Sequence, residues 1–364
     1  METDACPRAT LQAIRPATRR ATLGAALAAL VGGAAPRAAA GRNKKKKKGC
    51  KFATDTVAKT MTLTADCSTT KTVTVPEGFT LDGAGFTIAA TGKTKGFQGA
   101  VVVSKDGLLG SKVVNLTLDG GGLVAPTGDD PAIDGILFAS PDCQLHDSTV
   151  RQFRNNARAV VANGANLTID NATLTNGSRG LSVTRSTVTL TGALISDVDF
   201  GIDITASMFT MKDGSSASGI TNAFATVAGG TATFDTVTIS APTATMGISV
   251  SQQATVTLTN STLTTGRVGV SVVGERAGEL SKLDATGNTI TLHEPALPFI
   301  YGLEYEGDSI GTADDNTISG FRTSDSGKSG CGIYVSASSQ AVIGSGNTFP
   351  TPPGNDHDIC DQRP

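Results

Sequence analysis

The sequence predicts an all-β fold in which short strands wind repeatedly about one axis. Three observations carry this prediction: a regular repeat, a composition suited to strands and turns, and Gly or Asn recurring at fixed places within each repeat. Glycine contributes 43 of the 364 residues, tryptophan is absent and aromatic residues make up only 4%. Such a composition does not fit a helical or doubly wound enzyme core.

The repeat is marked by a glycine that is followed by alternating apolar residues. Clear copies begin at Gly135, Gly180, Gly201, Gly247, Gly269, Gly302 and Gly332, and weaker copies begin at Arg158 and Ala223. Successive copies from residue 135 to residue 269 start 21 to 24 residues apart. Self-similarity at this period is typical of a solenoid, and the Leu and Asn frame of leucine-rich repeats is absent.

A second phrase within each repeat predicts the corners of the coil. Examples are NATL from Asn171 and NSTL from Asn260, each lying before the next glycine phrase. Asn and Gly tolerate the left-handed backbone of a tight corner, and stacked Asn side chains can hydrogen-bond along the coil. Two or three short strands per repeat therefore describe a parallel β-coil whose turns rise by ~4.8 Å.

With these phrases, residues 65–349 resemble the right-handed parallel β-helix proteins of the pectate-lyase-like type. The stretch ADCSTTKTVTVPEGFTLDGAGFTI at Ala65–Ile88 is similar to the first coils of that superfamily. The resemblance implies an all-β, right-handed parallel β-helix over residues 52–364, a single solenoid of about ten coils. It also implies that a substrate lies along the outward face of one sheet.

The residues before the coil predict export. In the signal predicted at 1–40, Arg19 and Arg20 precede fifteen uncharged residues, and Ala38–Ala40 offers a small-residue cleavage site. The arginine pair resembles a twin-arginine signal, and an ordinary secretory signal is the alternative. We therefore expect an extracellular or cell-surface protein without a transmembrane segment.

Charge separates the linker predicted at 41–51 from the body of the chain. Lys44–Lys48 repel one another, so this run is either a solvated linker or an electrostatic contact to an anionic surface. From Phe52 onward 18 basic residues face 30 acidic ones, a net charge of −12. That balance disfavours nucleic acid as a partner of the folded part.

Five cysteines follow the predicted signal, and none forms the C-x-x-C spacing of a zinc or redox motif. Proximity along the chain favours pairing Cys50 with Cys67 and Cys331 with Cys360. This arrangement would staple the two ends of the solenoid and leave Cys143 buried and free.

Strand alternation predicts which side chains face outward. Taking the residue after each repeat start as inward gives an outward column of Leu137, Val160, Ser182, Asp203, Ala225, Ser249, Ser271, Glu304 and Tyr334. Most of these side chains are small and uncharged. Asp203 is the substrate-binding candidate in the middle of the column.

The C-terminal coils contain the first candidate site. Glu304 and Glu306 lie on one side of a strand and are candidate catalytic acids for glycoside hydrolysis. Tyr334 and Tyr301 fall in the same two coils and are candidates for binding a sugar ring. The alternative is that these residues have no role in binding or catalysis and are solvated glutamates beside packed tyrosines.

The N-terminal coils contain the second candidate site. Asp129, Asp130 and Asp134 supply oxygen ligands that would suit Ca²⁺, and Arg179 would suit the carboxylate of a uronate. The alternative is ordinary turn chemistry with surface ion pairs. The GHG and RIK signatures of polygalacturonase-like hydrolases are absent from the sequence.

Three functions are consistent with these observations. The first is binding of an extracellular or cell-wall polysaccharide, and the second is a structural or adhesive surface role without catalysis. A polysaccharide lyase or glycoside hydrolase is the third. The fold that the resemblance implies is shared by all three, so it does not choose among them.

Overall fold

A computed structural model describes most of the chain that follows the lysine run. The described residues are 49–105, 107–126, 131–274, 278, 280–293, 300–323, 330–350 and 355–364. The export signal predicted at 1–40, the Lys44–Lys48 run and two predicted calcium ligands, Asp129 and Asp130, lie outside the described residues.

The chain forms a right-handed parallel β-helix, as the sequence predicts, with about 12 turns instead of ten. Each turn passes in order through three strand positions, which we name face A, face B and face C. Each strand pairs in parallel with the strand of the next turn on the same face. The additional turns lie at the two ends, where the strands lack the glycine phrase.

The strands divide among the faces as follows. Face A contains Val73–Val75, Ala100–Ser104, Asp134–Phe138, Arg158–Asn163, Met246–Ser251, Val268–Gly274, Ile300–Gly307, Gly330–Val335 and His357–Asp361. Face B contains Thr60–Leu63, Thr80–Asp82, Lys112–Val114, Cys143–His146, Asn166–Asp170, Thr187–Thr191, Thr255–Thr259, Ser281–Thr286, Ser309–Asp314 and Val342–Ile343. Face C contains Cys67–Thr69, Thr87–Gly92, Thr117–Leu123, Thr149–Arg151, Ser216–Ser218, Thr238–Ala241, Thr262–Thr265, Thr289–Leu292 and Thr317–Ser319.

Three long strands turn corners and contribute to more than one face. Thr173–Thr184 joins face C to face A, Leu194–Lys212 crosses all three faces, and Ala223–Asp235 joins face A to face B. A short 3-10 helix spans Thr94–Gly96. Within the described ranges no helix is long and apolar enough to cross a membrane.

Inward side chains from the three faces form one continuous apolar core. Leu, Ile, Val and Ala dominate it, and Phe rings fill its middle: the rings of Phe209 and Phe224 lie 5.6 and 5.8 Å from that of Phe234. Because each turn covers the inward residues of both neighbours, stability spreads along the solenoid.

The glycine of each repeat phrase is required by close packing. A Cβ at Gly180 would lie 2.6 Å from the carbonyl oxygen of Gly201 and 2.8 Å from Ile195 on face C. Both distances are shorter than a side chain tolerates. The glycine therefore lets face A approach face C where the chain enters face A.

The corner between faces B and C has the backbone that the second phrase predicts. Asn171 and Asn260 have φ of 50° and 51°. In the last turns the residue directly after the corner is an asparagine, and these asparagines form a ladder along the axis. The side-chain amide of the buried Asn288 donates to the buried Asn316 at 2.9 Å, and that of Asn316 donates to the half-buried Asn347 at 3.1 Å. Asparagine thus ties successive turns together, because each buried amide finds a partner along the axis.

Two positions of the predicted outward column are wrong by one residue. Val160 and Ala225 point inward and are fully buried, and the outward neighbours are Val161 and Thr226. In these two turns the repeat glycine is replaced by another residue; for example, Phe224 stands opposite Gly201 in the sheet. Without a glycine to mark them, the predicted repeat starts in these turns lie one residue too early. A shift of one residue exchanges the inward and outward sides of a strand.

Disulfides lie near both ends of the described solenoid. Cys50 is bonded to Cys67, and Cys331 is bonded to Cys360. Cys143 is a free, buried cysteine. At the first turn Phe52–Asp55 pairs antiparallel with the first strand of face B, so the edge of that strand is covered.

Candidate functional site

The outward residues of faces A and C differ in chemistry. On face C, the outward positions between Thr173 and Ser319 are Ser or Thr in every turn, with Leu194 as the exception. Face A instead carries carboxylates, guanidinium groups and partly exposed aromatic rings in neighbouring turns. We therefore place the candidate site on face A.

Two columns of residues run along face A, parallel to the solenoid axis. The edge column consists of Arg158, Arg179, Phe200, Ala223, Met246, Val268 and Tyr301. The floor column consists of Ser182, Asp203, Thr226, Ser249, Ser271, Glu304 and Tyr334. Both columns advance by ~4.8 Å per turn, so an extended ligand would meet equivalent positions at regular intervals.

At the N-terminal end of the edge column, Asp134 and Arg158 neutralise each other. Asp134 is buried, and its Oδ1 accepts hydrogen bonds from the backbone N–H of Arg158 at 2.8 Å and from Nε at 3.0 Å. Its Oδ2 accepts a third from Nη2 at 2.6 Å. Both oxygens of the Asp134 carboxylate are therefore hydrogen-bonded to Arg158, and the pair links two neighbouring turns.

The metal site predicted at Asp129, Asp130 and Asp134 is not assembled from the described residues. Among them, no group of three or more His, Cys, Asp or Glu side chains could hold a metal ion. Asp134 is engaged by Arg158, as above. The calcium prediction therefore depends on Asp129 and Asp130, which lie outside the described residues.

The structure brings the predicted substrate-binding residues Arg179 and Asp203 together as an ion pair between adjacent turns. Arg179 also donates from Nε to Asn156 at 3.2 Å, and its guanidinium carbon lies 4.8 Å from the ring centroid of Phe200. Asp203 accepts a second hydrogen bond from Thr226 at 2.7 Å. We call Arg179, Asp203 and these neighbours the middle cluster. Within it, the charges of Arg179 and Asp203 are satisfied by groups of the protein.

At the C-terminal end, Tyr301 and Tyr334 form a stacked pair. Their ring centroids lie 4.7 Å apart at an interplanar angle of 25°, and the hydroxyl of Tyr334 donates to Gln362 at 3.1 Å. Tyr301 neighbours Cys331 in the sheet and Tyr334 neighbours Cys360, and the disulfide joins these two cysteines. The platform is therefore held by both covalent and sheet contacts.

Glu304 lies next to Tyr334 on the floor column and is half-buried. Burial raises the pKa of its carboxyl to about 7; a hydrogen bond from Ser271 and the charge of Arg267 oppose the rise, and the nearby Glu306 adds to it. Glu304 therefore carries a proton for part of the time at neutral pH. The tyrosine pair and the two glutamates form what we call the C-terminal cluster.

The middle and C-terminal clusters occupy separate stretches of one face. Asp203 and Glu304 are separated by four turns along the floor column, or ~19 Å. The residues between them are Thr226, Ser249 and Ser271, which all carry hydroxyl groups. The predicted sites do not converge in one cleft, and a hydroxyl-lined floor connects them.

Three contributors to the middle cluster escaped the sequence analysis: Phe200, Asn156 and Thr226. Thr226 was hidden because the slipped register put Ala225 in its place. Aligning Phe224 with the repeat glycine would have revealed it. Phe200 directly precedes Gly201, as Arg179 precedes Gly180, so the repeat does mark its position. Asn156 lies in a turn before a face A strand and gave no signal.

Comparison with known proteins supports the architecture. Residues 134–290 match the family model of a right handed beta helix region. No curated protein sequence matches the chain. Among solved structures, the A-module of mannuronan C-5 epimerase AlgE6 from Azotobacter vinelandii is similar, with 14% identity, a TM-score of 0.58 and coverage of 84% of this chain and 86% of that one.

The catalytic domain of a GH87 alpha-1,3-glucanase, solved with tetrasaccharides, is similar with 12% identity and a TM-score of 0.55. The comparison covers 84% of this chain but only 64% of the glucanase domain. At these identities the likeness shows a shared fold. This protein is thus a right-handed parallel β-helix whose site has to be identified from its own residues.

Proposed function

We propose that this protein is exported and that face A binds an extracellular or cell-wall polysaccharide along the solenoid axis. The observation that carries the proposal is the stacked pair Tyr301 and Tyr334 at the end of a floor column lined with hydroxyl and carboxyl groups. An aromatic platform stacks on a sugar ring, and the polar groups hydrogen-bond its hydroxyls.

The comparisons support carbohydrate as the class of ligand. One similar structure is named for mannuronan and the other contains tetrasaccharides. Parallel turns repeat at a short regular spacing, which suits a ligand that is itself a linear repeat. Between Thr173 and Ser319 the outward residues of face C are uncharged and include no aromatic ring, so this stretch offers no comparable platform.

Location outside the cell forms part of the same proposal. It depends on the arginine pair and apolar stretch before Ala40 and on the Lys44–Lys48 run behind it. The lysine run would add an electrostatic contact to anionic wall material. The cleavage site is tested by N-terminal sequencing of the secreted protein, and retention of the full N-terminus inside the cell contradicts export.

Binding is tested by affinity electrophoresis on a polysaccharide panel with the parent and two variants. Tyr334→Ala removes one ring of the platform, and Met208→Ala is the matched control, because Met208 is an exposed apolar side chain on face B. We expect the parent and the control to be retarded by the same polysaccharide and Tyr334→Ala to migrate freely. If no polysaccharide retards the parent, the structural or adhesive function is the better interpretation.

The same panel examines catalysis. Glu304 and Glu306 are the proposed acids, because Glu304 retains a proton near neutral pH and the two carboxyls share one side of a strand. Release of reducing ends by the parent, abolished in Glu304→Gln and Glu306→Gln, would add hydrolysis to binding. Unsaturated products would indicate a lyase instead.

A further inference from the structure

The two halves of face A differ in electrostatic character. The face A segments of the described strands between Ala223 and Val335 contain no lysine or arginine, and their only charged residues are Glu304 and Glu306; Asp235 ends the first of these strands on face B. Arg267, just before one of these strands, acts on Glu304 through its charge. Among the described residues of these strands and Arg267, two carboxyl groups face one guanidinium, so the described part of this end has an excess of acid.

This balance disfavours a uronate at the C-terminal cluster. The carboxylate of a uronic acid would approach two glutamates and repel them, and the net charge of −12 from Phe52 onward would add to the repulsion. The arginines of the other half do not correct this, since Arg158 and Arg179 already hold Asp134 and Asp203. Polyuronates are therefore poor ligands for this groove.

A neutral sugar would use only part of the cluster. Its ring could stack on Tyr334, but Glu304 would remain half-buried next to Glu306, and Ser271 and the charge of Arg267 offset only part of the cost of burying its charge. A carboxylate in that setting is stabilised by a positive charge that enters with the ligand. The faces of the tyrosine rings attract a cation as well.

We infer that the C-terminal cluster recognises a glycan that carries free ammonium groups, such as a deacetylated amino-sugar polymer. The pyranose ring lies against Tyr301 and Tyr334, and its ammonium group lies between the carboxyls of Glu304 and Glu306. This inference rests on the proposed function and names the class of sugar that face A binds.

The test uses oligosaccharides of equal length in isothermal titration calorimetry at about pH 7, where a sugar amine is still partly protonated and the carboxyl of Glu304 is partly ionised. The probes are oligomers of glucosamine, N-acetylglucosamine, glucose and galacturonic acid. We expect the glucosamine oligomer to bind the parent about tenfold more tightly than its N-acetylated counterpart. We expect Glu306→Gln and Glu304→Gln to remove that preference, so that each variant binds the glucosamine oligomer no more tightly than its N-acetylated counterpart.

A matched control separates specific recognition from general attraction between an acidic protein and a cationic sugar. Asp284→Asn removes one carboxylate from face B, where Asp284 is paired with Lys282 at 2.7 Å. If the inference is correct, this variant keeps the tenfold preference. An equal loss in Asp284→Asn and Glu304→Gln would show non-specific attraction and overturn the inference.

The remaining outcomes are also decisive. Tighter binding of the glucose or galacturonic acid oligomer than of the glucosamine oligomer would overturn the amino-sugar inference and leave the proposed polysaccharide binding in place. Failure of every probe and of the polysaccharide panel to bind the folded parent would overturn both. Circular dichroism of each variant confirms that losses do not arise from unfolding.

Discussion

The two ends of face A show how one scaffold uses charge in different ways. Near the first turns, Asp134 and Asp203 are held by Arg158 and Arg179, and each pair joins neighbouring turns. Near the last turns, Glu304 and its neighbour Glu306 lie beside the stacked tyrosines, and burial keeps the pKa of Glu304 near neutrality. Charges that are satisfied internally stabilise the coil, whereas the acidic excess at the other end is available to a ligand.

The comparison predicts that substitutions at the two ends have opposite effects. Removing a satisfied charge lowers the stability of the fold, because its partner loses hydrogen bonds. Removing a carboxyl whose burial outweighs its hydrogen bond and the nearby positive charge lowers affinity and raises stability, because an unfavourable burial is relieved. Four predictions examine this difference, beginning with the largest effect.

Asp134→Ala is expected to lower the free energy of unfolding by about 2 kcal/mol, because the variant removes three hydrogen bonds from a buried acceptor. The half-exposed position of Arg158 limits the loss. Urea denaturation measures it. The double variant Asp134→Ala with Arg158→Ala should lose less than the sum of the single variants, and simple additivity would contradict the pairing.

Tyr334→Ala is expected to weaken polysaccharide binding by about tenfold or more, or roughly 1.5 kcal/mol, because the stack with Tyr301 is lost. Tyr334→Phe retains the ring and removes only the hydroxyl that donates to Gln362, so it should bind nearly as well as the parent. Affinity electrophoresis distinguishes the two variants. Equal losses would mean that the hydroxyl, not the ring, is recognised.

Glu304→Gln is expected to become more stable than the parent as pH rises. The folded pKa of about 7 exceeds the ordinary pKa of 4.5 for a glutamate carboxyl, so the parent binds its proton more tightly when folded and loses stability as pH rises from about 4.5 to 7. Gln does not titrate. The difference should be at most about 3 kcal/mol above pH 7, and smaller for a carboxyl that is only half-buried.

Thermal unfolding at about pH 5 and pH 8 measures this effect. The parent and Glu304→Gln should be closest at the lower pH and furthest apart at the higher one. Asp284→Asn serves as the control, because it removes a carboxylate that is paired with Lys282. An advantage for Glu304→Gln that is constant with pH would show that burial of the charged form is not its cause.

Deletion of Lys44–Lys48 is expected to have the smallest effect. The folded solenoid should keep its unfolding temperature and its affinity for oligosaccharides, while adhesion to anionic wall material weakens by a few fold. Sedimentation with isolated cell wall at low and high salt measures this difference, which should vanish at high salt. Equal adhesion of both forms at low salt would leave the run as a simple linker.

The repeat was sufficient to predict a parallel β-coil, because the physical requirements of the fold recur in every turn; the right-handed form was implied by the resemblance to pectate-lyase-like proteins. Gly180 permits a close approach that a Cβ would block, and Asn171 adopts the left-handed corner that its phrase predicts. Each requirement is local, so it leaves a regular mark on the chain. The additional turns at the ends were missed because they lack those marks.

The candidate site was predictable only in part. Glu304 and Tyr334 were found because they interrupt a column of small side chains, and the repeat glycines place them on the same side of adjacent strands. The contribution of Thr226 was not found, because the register slips at Phe224. The pairing of Asp203 with Arg179 was not found, because the two residues occupy different columns and the sequence does not show which side chains of adjacent turns meet. A single-residue error is enough to reverse the direction of a side chain.

By itself the sequence determined the repeat, the strand-forming composition, the corners and the acidic body of this protein, since each is a property of residue type and spacing. The tertiary structure alone decided which charges meet. Asp134 forms an ion pair with Arg158, whereas burial raises the pKa of Glu304, although both are carboxylic acids on strands of face A. The physical reason is that a charge's environment depends on the neighbouring turns, whose register is set by packing of the whole coil.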